Sequence, residues 1–252
     1  MSASAAAAWP DEVRAVYVLC HPVKEKARWE RLLPHLLKRG IPHDRIRLCA
    51  PTWGSDLTPE VIFRVYDPFL KRGKLPAFSF KGAGLTLGEI SLGLNFAAAV
   101  RDAVAGPPPQ KPEYFITLES DVWLREDFVP RLRATLAAAM SVADLSGAQP
   151  DYISLGEGVG TRPTERANTS YYTPAAVFKP PHQWVFRCTD SMLFSRRFLE
   201  RLSKSIVPFK EIIDWEMNFQ LGFLHGAQAL WADPPLVEQG TCYNRMATSL
   251  PS

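Results

Sequence analysis

Apolar residues along this chain fall into short continuous runs separated by segments with a helical repeat. Arg14–Cys20 and Tyr114–Leu118 are runs of β-branched, aromatic and aliphatic residues, too short for helices and patterned like strands buried on both faces. Shorter runs at Arg45–Ala50, Asp151–Leu155, Trp184–Cys188 and Ala229–Ala232 predict further strands. Between them, Trp29, Leu32, Leu33, Leu36 and Leu37 mark one face of a helix closing at Gly40, with Pro34 kinking it or delaying its start. Thr86 followed by Glu89 reads as a capping box opening a helix toward Ala105, with Leu92, Phe96, Ala99, Val100 and Val104 facing the core. Phe128, Val129, Leu132, Leu136 and Met140 predict another helix. Met192, Leu193, Phe194, Phe198, Leu199 and Leu202 predict a turn and a helix. Ile212–Glu216 opens a last helix, with Phe219, Phe223 and Leu224 spaced to pack inward and His225-Gly226 closing it. Strand, helix, strand at the start is a βαβ unit, which implies parallel pairing through a right-handed crossover. The expected fold class is α/β: one domain with a mostly parallel central sheet, helices on both faces and long loops on the ligand edge.

Two stretches break the pattern. Pro51–Leu85 carries Trp53, Pro59, Pro68 and Pro76 with poor periodicity, and it starts where a strand ends. It reads either as a functional loop or as a surface excursion with a short helix over Pro59–Val65. Gly156–Pro181 is a second loop, rich in Gly, Thr and Pro, and Pro234–Ser252 reads as an irregular tail. The Ala- and Ser-rich start lacks a basic segment and is a poor signal peptide. Residues 1–12 are expected to be a disordered tail and 13–252 the domain. No run approaches the roughly 20 apolar residues of a membrane helix, so a cytoplasmic protein with no transmembrane segment is expected. Lys and Arg exceed Asp and Glu by three, 29 against 26, with no basic block, which argues against nucleic acid. Cys20, Cys49, Cys188 and Cys242 are too far apart to form a metal-type pair, and the first three read as buried thiols.

The chemistry concentrates where the Tyr114–Leu118 strand ends in Glu119-Ser120-Asp121. Carboxylates at the carboxyl end of a buried strand lie on the edge where open α/β sheets bind ligands. Paired oxygen donors suit a hard divalent cation, and such a cation suits a diphosphate. The alternative is a solvated turn before a helix N-terminus, where acids are favoured anyway. Asp214 and Glu216, at the start of the last helix and flanking Trp215, are candidates for a general base; the alternative is helix N-terminal charge. Two positions apart on a helix they are rotated by about 200°, so a regular first turn points only one of them into a given cleft. Asp214 is the preferred base. Glu89 reads as a donor contact or as the capping-box residue alone. His21 and His182, each beside a proline, read as structural residues or donor contacts, Asn95 as a surface amide, and Lys24 and Arg28 either as a solvated helix face or as reaching a phosphate.

Taken together, Tyr17-Val18-Leu19 with Arg28-Trp29-Glu30, Leu85–Val100, Leu118-Glu119-Ser120-Asp121-Val122 and Ile213-Asp214-Trp215-Glu216 resemble glycosyltransferase family 25, the lipopolysaccharide-type β-galactosyltransferases and their collagen-modifying relatives. The resemblance implies a GT-A fold, a nucleotide-sugar donor with UDP-hexose favoured, and a glycan or glycoconjugate acceptor. It also implies manganese (or magnesium) as cofactor and an inverting transfer. It carries the family's Leu-Glu-Asp-Asp-Ala turn onto Leu118–Val122, which keeps the outer acids and has Ser120 in place of the middle one. Glu119, Ser120, Asp121, His21 and Glu89 are then the expected donor-site residues, Asp121 and Glu119 the metal ligands, and Asp214 and Glu216 the catalytic acids. The first-strand ending, Asn-Leu-Asp/Lys-Arg in the family, is Cys20-His21-Pro22-Val23 here, and Leu94-Asn95 stands where Ser-His is usual. Two rival readings are a catalytically inactive GT-A-like module that binds nucleotide sugar or glycan, and a nucleotidyltransferase. A metal phosphohydrolase is disfavoured, since no His/Asp cluster supports a two-metal site.

Overall fold

The two longest apolar runs lie side by side. In the computed structural model, which describes residues 8–71, 84–146, 149–156, 177–178 and 188–241, β1 (Val13–Leu19) pairs in parallel with β3 (Tyr114–Glu119) on one side and β2 (Ile46–Leu48) on the other. Next to β3 runs β7 (Ser191–Ser195), antiparallel, and beyond it β5 (Tyr152–Ser154). β8 (Ala229–Ala232) is parallel to β5, and β6 (Val177–Phe178) closes the edge antiparallel to β8. The order β2-β1-β3-β7-β5-β8-β6 makes a mixed sheet in which all strands but β7 and β6 point the same way. The exits of β1, β2, β3, β5 and β8 and the entry to β7 therefore share one edge.

Helices cover both faces, as the alternation within the strands requires. Val16, Val18, Ile116, Leu118 and Leu193 face α1 (Lys26–Lys38) and α4 (Phe128–Ser146) through Leu32, Leu36, Phe128 and Leu132. Tyr17, Leu19, Phe115, Met192 and Phe194 face α3 (Leu87–Val104), α5 (Arg196–Leu202) and α6 (Ile213–Asn218) through Phe96, Val100, Phe198, Leu202, Ile213 and Met217. The result is a single α/β domain. The helix expected at Pro59–Val65 is α2, capped by Thr58, whose hydroxyl accepts from Val61 N. α1 contains Pro34 and ends at Gly40, whose φ of +87° only glycine adopts cheaply. No helix of the described residues is long and apolar enough to cross a membrane.

Several expectations are corrected. Met192–Phe194 is not a turn but the middle of β7. A triplet this short does not distinguish strand from helix by its period, but each residue is buried, Leu193 on one face of the sheet and its two neighbours on the other. The acid turn does not feed a helix directly: β4 (Val122–Leu124) intervenes and pairs with β9 (Val237–Gln239), inside what was expected to be an irregular tail. On the last helix the inward residues are Ile213, Met217 and Leu221. Phe219 and Phe223, two positions out of phase, stack on each other, and Leu224 is exposed where the helix widens into a π-turn over Phe219–Leu224. Residues 8–12 are ordered rather than tail: Trp9 packs against the core and donates to Val13 O at 2.8 Å, and Pro10 is buried. Of the Gly156–Pro181 loop, only Gly156 and β6 fall among the described residues, as does only Cys188 of Trp184–Cys188.

Candidate active site

The turn after β3 sends its side chains in two directions. Ser120 points toward α1: its hydroxyl donates to Glu25 Oε1 at 2.8 Å and accepts from Arg28 Nη1 at 2.9 Å. Arg28, expected on a solvated face, is instead held half-buried there by Glu25. Glu119 and Asp121 turn the other way. Asp121, at the strand end, is buried rather than on a solvated turn, its carbonyl accepting from Gly240 N at 2.6 Å and its Oδ2 from Thr241 Oγ1 at 2.5 Å. β9 thus holds the turn from behind. Asp121 Oδ1 is buried with no hydrogen-bond partner.

Two further acids arrive from distant segments. Asp190, at the entry to β7, is tied to the turn by Glu119 N, which donates to Asp190 O at 2.9 Å. Its Oδ2 accepts from Ser191 Oγ at 3.3 Å, and its Oδ1 is buried without a partner. Asp214 sits on the first turn of α6. Thr189 Oγ1 joins the groups, 2.5 Å from Glu119 Oε1 and 2.9 Å from Asp214 Oδ1. A hydroxyl has one proton, so both contacts are hydrogen bonds only when one carboxyl carries a proton of its own.

Burial raises the proton affinity of both carboxyls. Burial, then the charges of Asp121 and Asp214, push Glu119 well above the usual carboxylate range against the opposing hydrogen bond from Thr189. Glu119 and Asp214, the two carboxyls that meet Thr189, are thus both shifted toward holding a proton, Glu119 the further of the two. Burial raises Asp190 to about 7, with Asp121 and Asp214 adding to it and the amide and hydroxyl of Ser191 opposing. Asp214 is raised by burial and by Glu89, with Thr189 and its own helix amide pulling the other way.

The other expected site residues divide. Glu89 makes the capping box, its Oε2 accepting from Thr86 N at 2.8 Å, and its charge still reaches Asp214. His21 lies at the exit of β1 on the same edge, with Nδ1 accepting from Val23 N and Lys24 N and the ring edge-on to Trp53. Glu216 is not brought to the cluster. It is fully buried, with Oε2 accepting from Lys210 N and Glu211 N and Oε1 from Gln220 Nε2. Asn95 is no surface amide; its side chain clamps Thr52 through three hydrogen bonds. His182 lies outside the described residues. Thr189, Asp190 and Thr241 escaped the sequence reading. The polar Thr189-Asp190-Ser191 before an apolar triplet repeats the strand-edge signal of Glu119–Asp121, but is visible only once Met192–Phe194 is read as strand.

Among the described residues no group of three or more His, Cys, Asp or Glu side chains is arranged to hold a metal ion. Two carboxylate oxygens of the acid cluster, Asp121 Oδ1 and Asp190 Oδ1, are buried without a hydrogen-bond partner among the described residues. This donor chemistry fits a hard cation that draws its remaining oxygens from phosphate and water. Two surface clefts, of about 310 and 720 Å³, lie on the opposite edge around Pro109–Glu113 and do not touch these acids. No protein-family model matches the chain, and no curated protein matches it in sequence.

Proposed function

We propose that this protein is a metal-assisted glycosyltransferase of GT-A type. It would take a sugar from a nucleoside-diphosphate sugar, UDP-hexose by preference, and deliver it to a hydroxyl of a glycan or glycoconjugate. The observation that carries this reading is the convergence of Glu119, Asp121, Asp190 and Asp214 on the carboxyl edge of the sheet, with two carboxylate oxygens buried and unpartnered. The sequence resemblance to family 25, which runs through the Leu118–Val122 turn and the Ile213–Glu216 segment, supports it independently.

Asp121, with Glu119 beside it, would hold Mn²⁺ or Mg²⁺, and a cation there supplies the positive charge that a departing diphosphate needs. Asp214 is the general base in this reading. Burial raises its affinity for a proton, which favours taking one from the acceptor hydroxyl, and the Thr189 contact fixes the direction of its carboxylate. Because Asp214 would act on the acceptor directly, the sugar is transferred with inversion.

A thermal-shift panel of nucleotides and nucleotide sugars, with and without Mn²⁺, tests the binding half, since a ligand of the native state raises the melting temperature by mass action. The stabilising nucleotide sugar is then assayed for release of nucleoside diphosphate. Absence of any Mn²⁺-dependent stabilisation would overturn the reading. Pyrophosphate as product would identify a nucleotidyltransferase, and binding without turnover a carbohydrate- or nucleotide-sugar-binding module.

A further inference from the structure

We propose that Asp190 is a cation ligand alongside Asp121, supplying from the β7 side the carboxylate that Ser120 does not provide. The inference rests on the reading above only in assuming that a divalent cation binds. Asp121 and Asp190 are 5% and 1% exposed, and each leaves its Oδ1 buried without a hydrogen-bond partner. An unpartnered polar atom in the interior is costly, and two in one acid cluster share a natural remedy in a cation. Each carboxylate is also steadied through its other oxygen, Asp121 by Thr241 and Asp190 by Ser191. That is how metal-binding carboxylates are oriented, one oxygen held and one left for the ion. The backbone contact between Glu119 N and Asp190 O fixes Asp190 beside the 119–121 turn. Space is reserved for it as well: a Cβ on Gly156 would lie 2.0 Å from Asp190 Oδ2, so only glycine lets the carboxylate sit where it does. Ser120, meanwhile, is committed to Glu25 and Arg28 and has turned away.

The test is a Mn²⁺ titration followed by the electron paramagnetic resonance signal of free Mn²⁺, run with Mn²⁺ alone and with Mn²⁺ plus UDP, on the wild type, Asp190→Asn, Asp121→Asn and Asp214→Asn. Water-proton relaxation counts the waters on the bound ion. Asp190→Asn should weaken Mn²⁺ by about tenfold or more, as Asp121→Asn does, and add about one water to the ion that still binds. Asp214→Asn removes an equal charge without removing a ligand, so it should cost about threefold or less and leave the water count unchanged. Gly156→Ala keeps every charge but crowds the Asp190 carboxylate, and should weaken Mn²⁺ in the same direction as Asp190→Asn; it also serves if Asp190→Asn does not fold. If Asp190→Asn behaves like Asp214→Asn in both affinity and water count, or if Gly156→Ala binds Mn²⁺ as the wild type does, the assignment of Asp190 is overturned while the cation reading stands. A wild type that binds no Mn²⁺ under either condition overturns both.

Discussion

His35 ties the stability of the acid turn to pH. It lies on α1, with Nε2 accepting from Leu124 N at 2.9 Å and its ring 4.2 Å from that of Trp123. Both partners belong to β4, which pairs with β9, and Gly240 and Thr241 just beyond β9 hold Asp121. Burial, then the positive charges of Arg39 and Lys38, lowers His35 from its ordinary 6.5 to about 4. The folded protein therefore keeps the neutral ring. Above pH 6.5 both folded and unfolded chains hold it neutral and the contribution is complete. As the pH falls from 6.5 toward 4 the unfolded chain takes up a proton that the folded one refuses, and stability is lost. At about 1.36 kcal/mol per pH unit the gap corresponds to about 3 kcal/mol as an upper bound, reduced by the partial exposure of the ring. His35→Gln keeps an oxygen for Leu124 N and removes the titration. Urea unfolding of both proteins at steps between pH 7 and pH 4 should give stabilities that diverge below pH 6.5, with the wild type falling more steeply. Parallel curves through that window would refute the argument, because carboxylate titrations common to both proteins cancel in the difference.

Asp214→Asn should bind nucleotide nearly as the wild type does and lower transfer by a factor of about 10² to 10⁴; equal rates in a single-turnover assay would move the base elsewhere. Thr189→Val, which removes the hydroxyl between Glu119 and Asp214, should lower kcat by about 10- to 100-fold with little change in donor KM, and Thr189→Ser should restore it; a Val variant with wild-type kcat removes Thr189 from the mechanism. Glu216→Gln puts an amide group where Lys210 N, Glu211 N and Gln220 already donate, so it should cost about 1–3 kcal/mol of stability in urea while the folded fraction keeps its transfer rate. Gly93→Ala sets a methyl 2.9 Å from the Phe209 ring and should destabilise by about 1–3 kcal/mol, read as a lower urea midpoint.

The parts of this protein that local chemistry controls were legible in the chain. β1 and β3 declared themselves because strands buried on both faces must be apolar throughout, and α3 because Thr86 and Glu89 satisfy each other's backbone groups within one turn. The acids ending the Tyr114–Leu118 run were placed at the carboxyl end of a strand, and the 200° between Asp214 and Glu216 foretold that only one would reach the cluster. Tertiary structure decided the rest. β7 has an apolar triplet too short for its period to tell strand from helix, and burial on both faces, a property of its neighbours, made it a strand. The inward face of α6 was settled by which side met α3 and the sheet, so Met217 and Leu221 prevailed over the equally apolar Phe219 and Phe223. The same holds for the site. Asp190 lies 69 positions beyond Asp121 and Thr241 120 positions beyond it, separations at which sequence carries no distance information. Only the insertion of β7 beside β3, and the pairing of β9 with β4, bring their oxygens to one edge.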